Sequence, residues 1–341
     1  VREQHAGRKG PEFLTLAEAR GRRTPIEWTM RADDHPGEGP HPFVHYRPPK
    51  PRFVGRRIFR NYDLAEIAHF IDWQPFFQTW DLAGAFPAIL NDEVVGESAR
   101  RVFSDGKAML RRVIDGRWLT ANAVVAFLPA NSINDDDIEL YTDDSRSEVA
   151  FVWRNLRQQT AKREGVANKC LADFIAPRTL DGRPSGIEDY LGLFAVTTGL
   201  GVERKEAEFA ALLDDYSAIM FKAIADRLAE AFAECLHRRV RTDLWGYAPD
   251  EALDAQALID EKYIGIRPAP GYPACPEHTV KRELFAILRC EEVGITLTDS
   301  YAMAPAASVS GFYFSHPRSE YFNVGPIDKD QLDDLARRSG R

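Results

Sequence analysis

Arg267-Pro-Ala-Pro-Gly-Tyr-Pro-Ala-Cys-Pro-Glu-His278 is the stretch on which the reading of this chain turns. Four prolines within ten residues fix φ and remove backbone donors, and Gly271 stands where the chain must turn. The segment is therefore a stiff, non-helical ribbon whose carbonyls have few partners of their own. Arg267 enters it as a permanent cation with a planar fork suited to a carboxylate. Tyr272, clamped between Gly271 and Pro273, would lose little entropy on meeting a flat ligand. The same residues also fit a loop that only ends one helix and starts the next.

Working outward, residues 253–263 read as a short helix leading into the ribbon. Residues 276–290 read as a helix leading out, with Pro276 near its first turn. The longest periodic segment, 205–240, carries Phe209, Leu212, Leu213, Tyr216, Met220, Ile224, Leu228, Ala231, Cys235 and Leu236 at helical spacing and predicts one long core helix. Asp226, Glu230 and Glu234 stack four apart on another face and read as a solvated acidic edge. Further helices are expected at 14–20, at 63–70 with Asp63 as its cap, at 92–114 and at 329–338. Strands are expected at 119–128, 138–141, 148–153, 190–197, 295–297 and 306–316. Asp135-Asp-Asp137 reads as a solvated acidic turn. The polar, glycine- and proline-bearing connection from 154 to 189 suits a long excursion rather than a repeating β-α-β unit.

The chain of 341 residues has ordinary globular composition, 44% hydrophobic and 28% charged, so it can bury a large core. A net charge of -8 argues against a nucleic-acid partner, and no apolar run is long enough to span a bilayer. The polar start shows no signal peptide, and the missing initiator Met points to a piece of a longer protein. Cys170, Cys235, Cys275 and Cys290 are scattered, the usage of a reducing cytoplasm. Cys275-Pro-Glu-His278 is half a metal site at best, with no second pair to complete it. His41 and His45 are separated by Pro42 and read as loop residues. Residues 1–60 hold eight of the 21 prolines in their first 51 positions and read as a linker and extended arm, with the folded body beginning near residue 61.

Asp72 stands among Trp73, Phe76, Phe77 and Trp80, where a carboxylate must find a donor or a cation or see its pKa rise; it equally fits a local backbone cap. Thr198-Gly-Leu-Gly-Val-Glu203 offers Gly-x-Gly, but Arg204 replaces the third glycine and the acids of the following turn would repel a pyrophosphate. Ser308-Val-Ser-Gly311 lacks the first glycine of a nucleophile elbow. No catalytic triad or tuned carboxylate pair emerges.

Taken together, the 267–278 ribbon, Ala307-Ser-Val-Ser-Gly-Phe-Tyr-Phe-Ser-His-Pro317, Ile71-Asp-Trp73, Trp245-Gly-Tyr247 and Thr24-Pro-Ile-Glu-Trp28 resemble the C-terminal activation domain of cobalamin-dependent methionine synthase. The resemblance implies an α+β fold, one curved domain with a twisted antiparallel sheet flanked by helices. It implies residues 1–60 as the arm from a preceding cobalamin module, starting with the tether-like Arg2-Glu-Gln-His-Ala-Gly-Arg-Lys9, and 61–341 as the S-adenosylmethionine-binding domain. It carries ligand contacts onto Asp72 for the ammonium, Arg267 for the carboxylate, and the 268–272 backbone, including Ala269 and Gly271, with Tyr321 and Phe322 for the adenosyl part. Glu230 and Glu261 fall near the reactive end, with Tyr272 facing the corrin. The implied function is reactivation: cob(II)alamin is reduced by flavodoxin or a flavoprotein reductase and trapped by methyl transfer, in support of methionine synthesis by a cytoplasmic methyltransferase. Zinc belongs to a module this chain lacks. The rival classes are a stand-alone S-adenosylmethionine-dependent methyltransferase and a non-catalytic interaction module.

Overall fold

The structure, a computed structural model, describes residues 12–28 and 46–340. His41, His45 and the 2–9 stretch lie outside the described residues. The chain runs α1 (Leu16–Gly21), β1 (Gly55–Phe59), α2 (Leu64–Ala68), α3 (Gln74–Gln78), α4 (Gly96–Asp115), β2 (Thr120–Ile133), β3 (Asp137–Tyr141) and β4 (Val149–Arg154). It continues through β5 (Thr179–Leu180), β6 (Arg183–Pro184), β7 (Asp189–Leu200), α5 (Val202–Ala211), α6 (Asp215–Arg239), α7 (Ala255–Ile259) and α8 (Lys281–Leu288). It closes with β8 (Thr296–Leu297), β9 (Met303–Ala304), β10 (Ser308–Tyr313) and α9 (Lys329–Arg338).

The central sheet is antiparallel, in the order β10-β7-β2-β3-β4, with β1 also paired to β2. Its two long strands are buried on both faces and alternate between two cores. Ala123, Val125, Phe127, Phe194 and Val196 pack under the helices α2, α3, α4 and α6. Val124, Ala126, Leu128, Leu191, Leu193 and Ala195 pack with α8 and the 170–175 segment, where Trp153 stacks on Phe312 at 3.9 Å. Hydrophobic side chains on both faces explain why these strands read as continuous apolar runs. The fold is the expected α+β arrangement, and among the described residues no helix is long and apolar enough to cross a membrane.

Several expectations change. β1, ahead of residue 61, is already a strand of the central sheet, and the helix expected at 276–290 spans only Lys281–Leu288. The 205–240 helix is two: Leu213 adopts φ +55°, and Asp214 then caps α6, its side chain accepting from Ser217 N at 3.0 Å. Leu212 and Leu213, read as core, are exposed at that break. The long helix remains, because α6 continues through a π turn at Val240–Leu244. Asp136 and Asp137, read as solvated, are buried and paired with Arg157 and Arg338. Glu234, read as part of a solvated edge, is also buried. The ribbon's carbonyls are far better partnered than its sequence predicts, as described next.

Candidate ligand site

Residues 266–268 lie along the open edge of β10. Ile266 N donates to Phe314 O at 3.1 Å, Phe314 N to Ile266 O at 3.0 Å, and Phe312 N to Pro268 O at 3.0 Å. A proline can sit here because the edge asks it for a carbonyl and not for an N–H. Gly311 makes the approach possible: a Cβ there would stand 2.6 Å from Pro268 O. The strand-like alternation sends Ile266 into the core shared with α8 and Arg267 to the opposite side, toward α6. Gly271 turns the ribbon at φ +97°, with its N donating to Cys275 O at 2.8 Å; an added Cβ would meet the His278 ring at 2.2 Å. Pro273 O accepts from Val324 N at 2.9 Å, which brings the 321–323 segment alongside.

These elements enclose a cavity of about 440 Å³, within the range of small-molecule sites. Arg267, Ala269, Tyr272, Tyr321, Phe322, Glu230 and Glu261 all line it, with Phe194, Pro268, Pro273, Ala274, Val309 and Asn323. Gly271 shapes the ribbon without lining the cavity. Asp72 is outside the lining; its Oδ1 accepts from Gln74 N at 2.9 Å at the start of α3.

Arg267 is held through one nitrogen. Its Nη1 lies 2.7 Å from Glu234 Oε2, 3.0 Å from the Tyr263 hydroxyl and 3.2 Å from His237 Nδ1. The Tyr321 hydroxyl accepts from Arg267 N at 2.9 Å and is 3.0 Å from the Tyr263 hydroxyl. Burial works against the Arg267 charge, but Glu234 and the surrounding phenols hold its pKa above the usual value. Burial pushes the Glu230 and Glu261 carboxyls upward, with Arg267 opposing in both. The Glu230 charge, then burial, raises the Tyr272 phenol, whose ring is half exposed at the rim. A fixed cation, two acids and aromatic walls converge on one space, an arrangement that grips and orients a ligand.

Sequence reasoning missed Glu234, His237 and Tyr263, the groups that anchor Arg267. For Glu234 and His237 the signal was present on α6: Glu230, Glu234 and His237 are spaced four and three apart, one helical face. A larger cavity, about 730 Å³, lies where the Gly199–Gly201 turn enters α5. Glu203, Glu206 and Asp226 border it together with Arg204 and Lys222, and Lys222 pairs with Glu206 at 2.8 Å.

Fold and cavity thus define an α+β ligand-binding domain whose recognition elements are a β-edge ribbon and one long helix. The family described as vitamin B12 dependent methionine synthase, activation domain, matches residues 63–340. A crystal structure described as the MetH reactivation domain bound to AdoHcy is similar, with 47% sequence identity, a TM-score of 0.86, and coverage of 96% of this chain and 94% of that one. This chain belongs to the activation-domain family of vitamin B12 dependent methionine synthases.

Proposed function

We propose that the cavity under the ribbon binds S-adenosylmethionine and presents its methyl group to cobalamin held by a separate module of the same enzyme. The observation that carries this is Arg267. Nε and Nη2 make no hydrogen bond among the described residues, and the side chain, 22% accessible, lines the cavity, so one edge of the fork is left for a ligand. A carboxylate is the ligand group that matches that edge with two parallel bonds. The similar reactivation domain was solved with AdoHcy, which carries such a carboxylate beside an adenosyl group.

When bound, S-adenosylmethionine supplies a methyl group on a sulfonium, for capture by reduced cobalamin. The chain's own part is positioning. Arg267 takes the carboxylate, the 268–272 backbone with Tyr321 and Phe322 takes the adenosyl part, and Glu230 and Glu261 face the cationic end. Asp72, outside the cavity lining and with no hydrogen bond to Oδ2 among the described residues, is the proposed partner for an ammonium that extends past that lining. Tyr272 at the rim meets the corrin, and the chain leads in from the cobalamin module ahead of α1 and β1, which are already part of the folded body. Flavodoxin or a flavoprotein reductase supplies the electron in a cytoplasmic methyltransferase.

Calorimetric titration of the chain with S-adenosylmethionine tests this. Arg267→Ala is expected to weaken binding by about 2–4 kcal/mol, the loss for a desolvated charge pair. A wild-type chain that binds no S-adenosylmethionine, or an unchanged variant, would overturn the assignment.

A further inference from the structure

Arg267 reaches the cavity with the guanidinium at the end of a flexible side chain, and something must choose which of its edges faces inward. The surroundings of Nη1 answer that. Glu234 Oε2 at 2.7 Å, the Tyr263 hydroxyl at 3.0 Å and His237 Nδ1 at 3.2 Å all contact this one nitrogen. Because all three crowd the same end of the guanidinium, the Nε–Nη2 edge is turned the other way. Glu234 sits on the long helix α6, largely buried; its Oε1 makes no hydrogen bond among the described residues and lies 3.8 Å from Arg241 Nη1, an ion-pair contact. Arg241 in turn is clamped by both carboxylate oxygens of Glu251, at 2.7 and 2.8 Å. The chain of contacts therefore runs Glu251, Arg241, Glu234, Arg267, cavity.

We propose that Glu234 is a positioning residue that sets the open edge of Arg267 and so makes the cavity select ligands bearing a carboxylate. This rests on the ligand reading given above. Glu234 acts by geometry against its own electrostatics. Its negative charge repels an incoming carboxylate, so if charge were its whole effect, removing it would tighten binding. If geometry dominates, removing it releases the guanidinium to other rotamers, and the fork must be reordered at each binding event.

The test measures affinities of the full chain for AdoHcy and for 5′-deoxy-5′-methylthioadenosine, which keeps the adenosine and thioether and lacks the amino-acid tail. Glu234→Ala is expected to weaken AdoHcy about tenfold, the scale of one charge-assisted contact, and to leave the tailless ligand within about twofold. Glu234→Gln keeps an oxygen for Nη1 and drops the charge, so it should bind AdoHcy as well as or better than wild type. Tyr263→Phe removes one grip on Nη1 and should give a smaller loss confined to AdoHcy, which keeps the question answerable if the alanine variant does not fold. The proposal fails if Glu234→Ala and Glu234→Gln both tighten AdoHcy, if the alanine variant binds it as wild type does, or if the losses are equal for the two ligands. Wild type binding neither ligand would instead overturn the reading beneath it.

Discussion

Arg157 and Arg267 are both drawn into the body of the domain, with side chains 0% and 22% accessible, yet they spend their donors differently. Arg157 Nε donates to Asp136 Oδ1 at 2.7 Å. Its Nη1 donates to Asn168 O at 2.8 Å and Asp173 Oδ2 at 3.0 Å, and its Nη2 to Asp135 O at 3.0 Å and Asp173 Oδ1 at 2.7 Å. Every N–H is used, and the acceptors reach further. Asp136 also takes Arg20 Nε at 2.7 Å, and Asp173 takes the Thr24 hydroxyl at 3.0 Å. The cluster thereby ties α1 and the chain after it to the start of β3. Arg267 commits one side-chain nitrogen and leaves an edge unspent. A fully satisfied buried cation organises the fold; a half-satisfied one holds recognition capacity in reserve at a cost in stability.

The contrast breaks if the two arginines answer to each other's assays. Arg157→Met leaves buried Asp173 with no cation and Asp136 with Arg20 alone, and urea denaturation should show a loss of about 3–5 kcal/mol. Below its melting range the variant should still bind AdoHcy as wild type does; a parallel loss of binding would make Arg157 more than structural. Arg267→Lys sharpens the other side. An ammonium can still meet Glu234 but offers no planar fork, so AdoHcy binding should fall by about 1.5–3 kcal/mol. Its unfolding free energy should fall by less than that of Arg157→Met, because the ammonium keeps a cation beside buried Glu234.

This difference also explains what the sequence disclosed. The ribbon was legible because proline and glycine act locally, and the residues they frame could be matched to a motif. The two long strands were legible because burial on both faces leaves apolar runs. The Arg157 cluster was illegible: Asp135-Asp-Asp137 looks like a solvated turn, and the cations that pair with its two buried members, Arg157 and Arg338, arrive from just past β4 and from the end of α9. Glu234 misled in the same way, since a helical face of acids reads as an outer edge until a cation from the ribbon lands on it. The break before α6 was hidden because Leu212 and Leu213 continue the apolar period while the backbone leaves the helix. Local chemistry reads forward from sequence; pairing across long separations does not.

A pH series separates the two regions, one pH unit at a time. His237 is fully buried, and burial, then Arg241 and Arg267, pushes its pKa well below the usual value. Arg267 can only donate, so His237 Nδ1 accepts and the ring proton sits on Nε2, 3.3 Å from the Tyr247 oxygen. As pH falls through about 6.5 the unfolded chain takes up a proton that the folded ring refuses. The stability from this group is thus complete above that pH and is lost at about 1.4 kcal/mol per pH unit below it, toward the depressed folded pKa. Asp137, in the region of Arg157, has the opposite sign: burial, opposed by Arg338, raises it from 3.8 to about 6. Its contribution is complete below the unfolded value and is lost as pH rises toward 6. Urea midpoints at steps from pH 4 to 7 should therefore show wild type losing ground to His237→Gln on acidification and gaining ground on Asp137→Asn. Parallel curves for wild type and His237→Gln would mean the ring accepts its proton in the folded state. The guanidinium of Arg267 would then have lost one of the contacts that turn its open edge to the cavity.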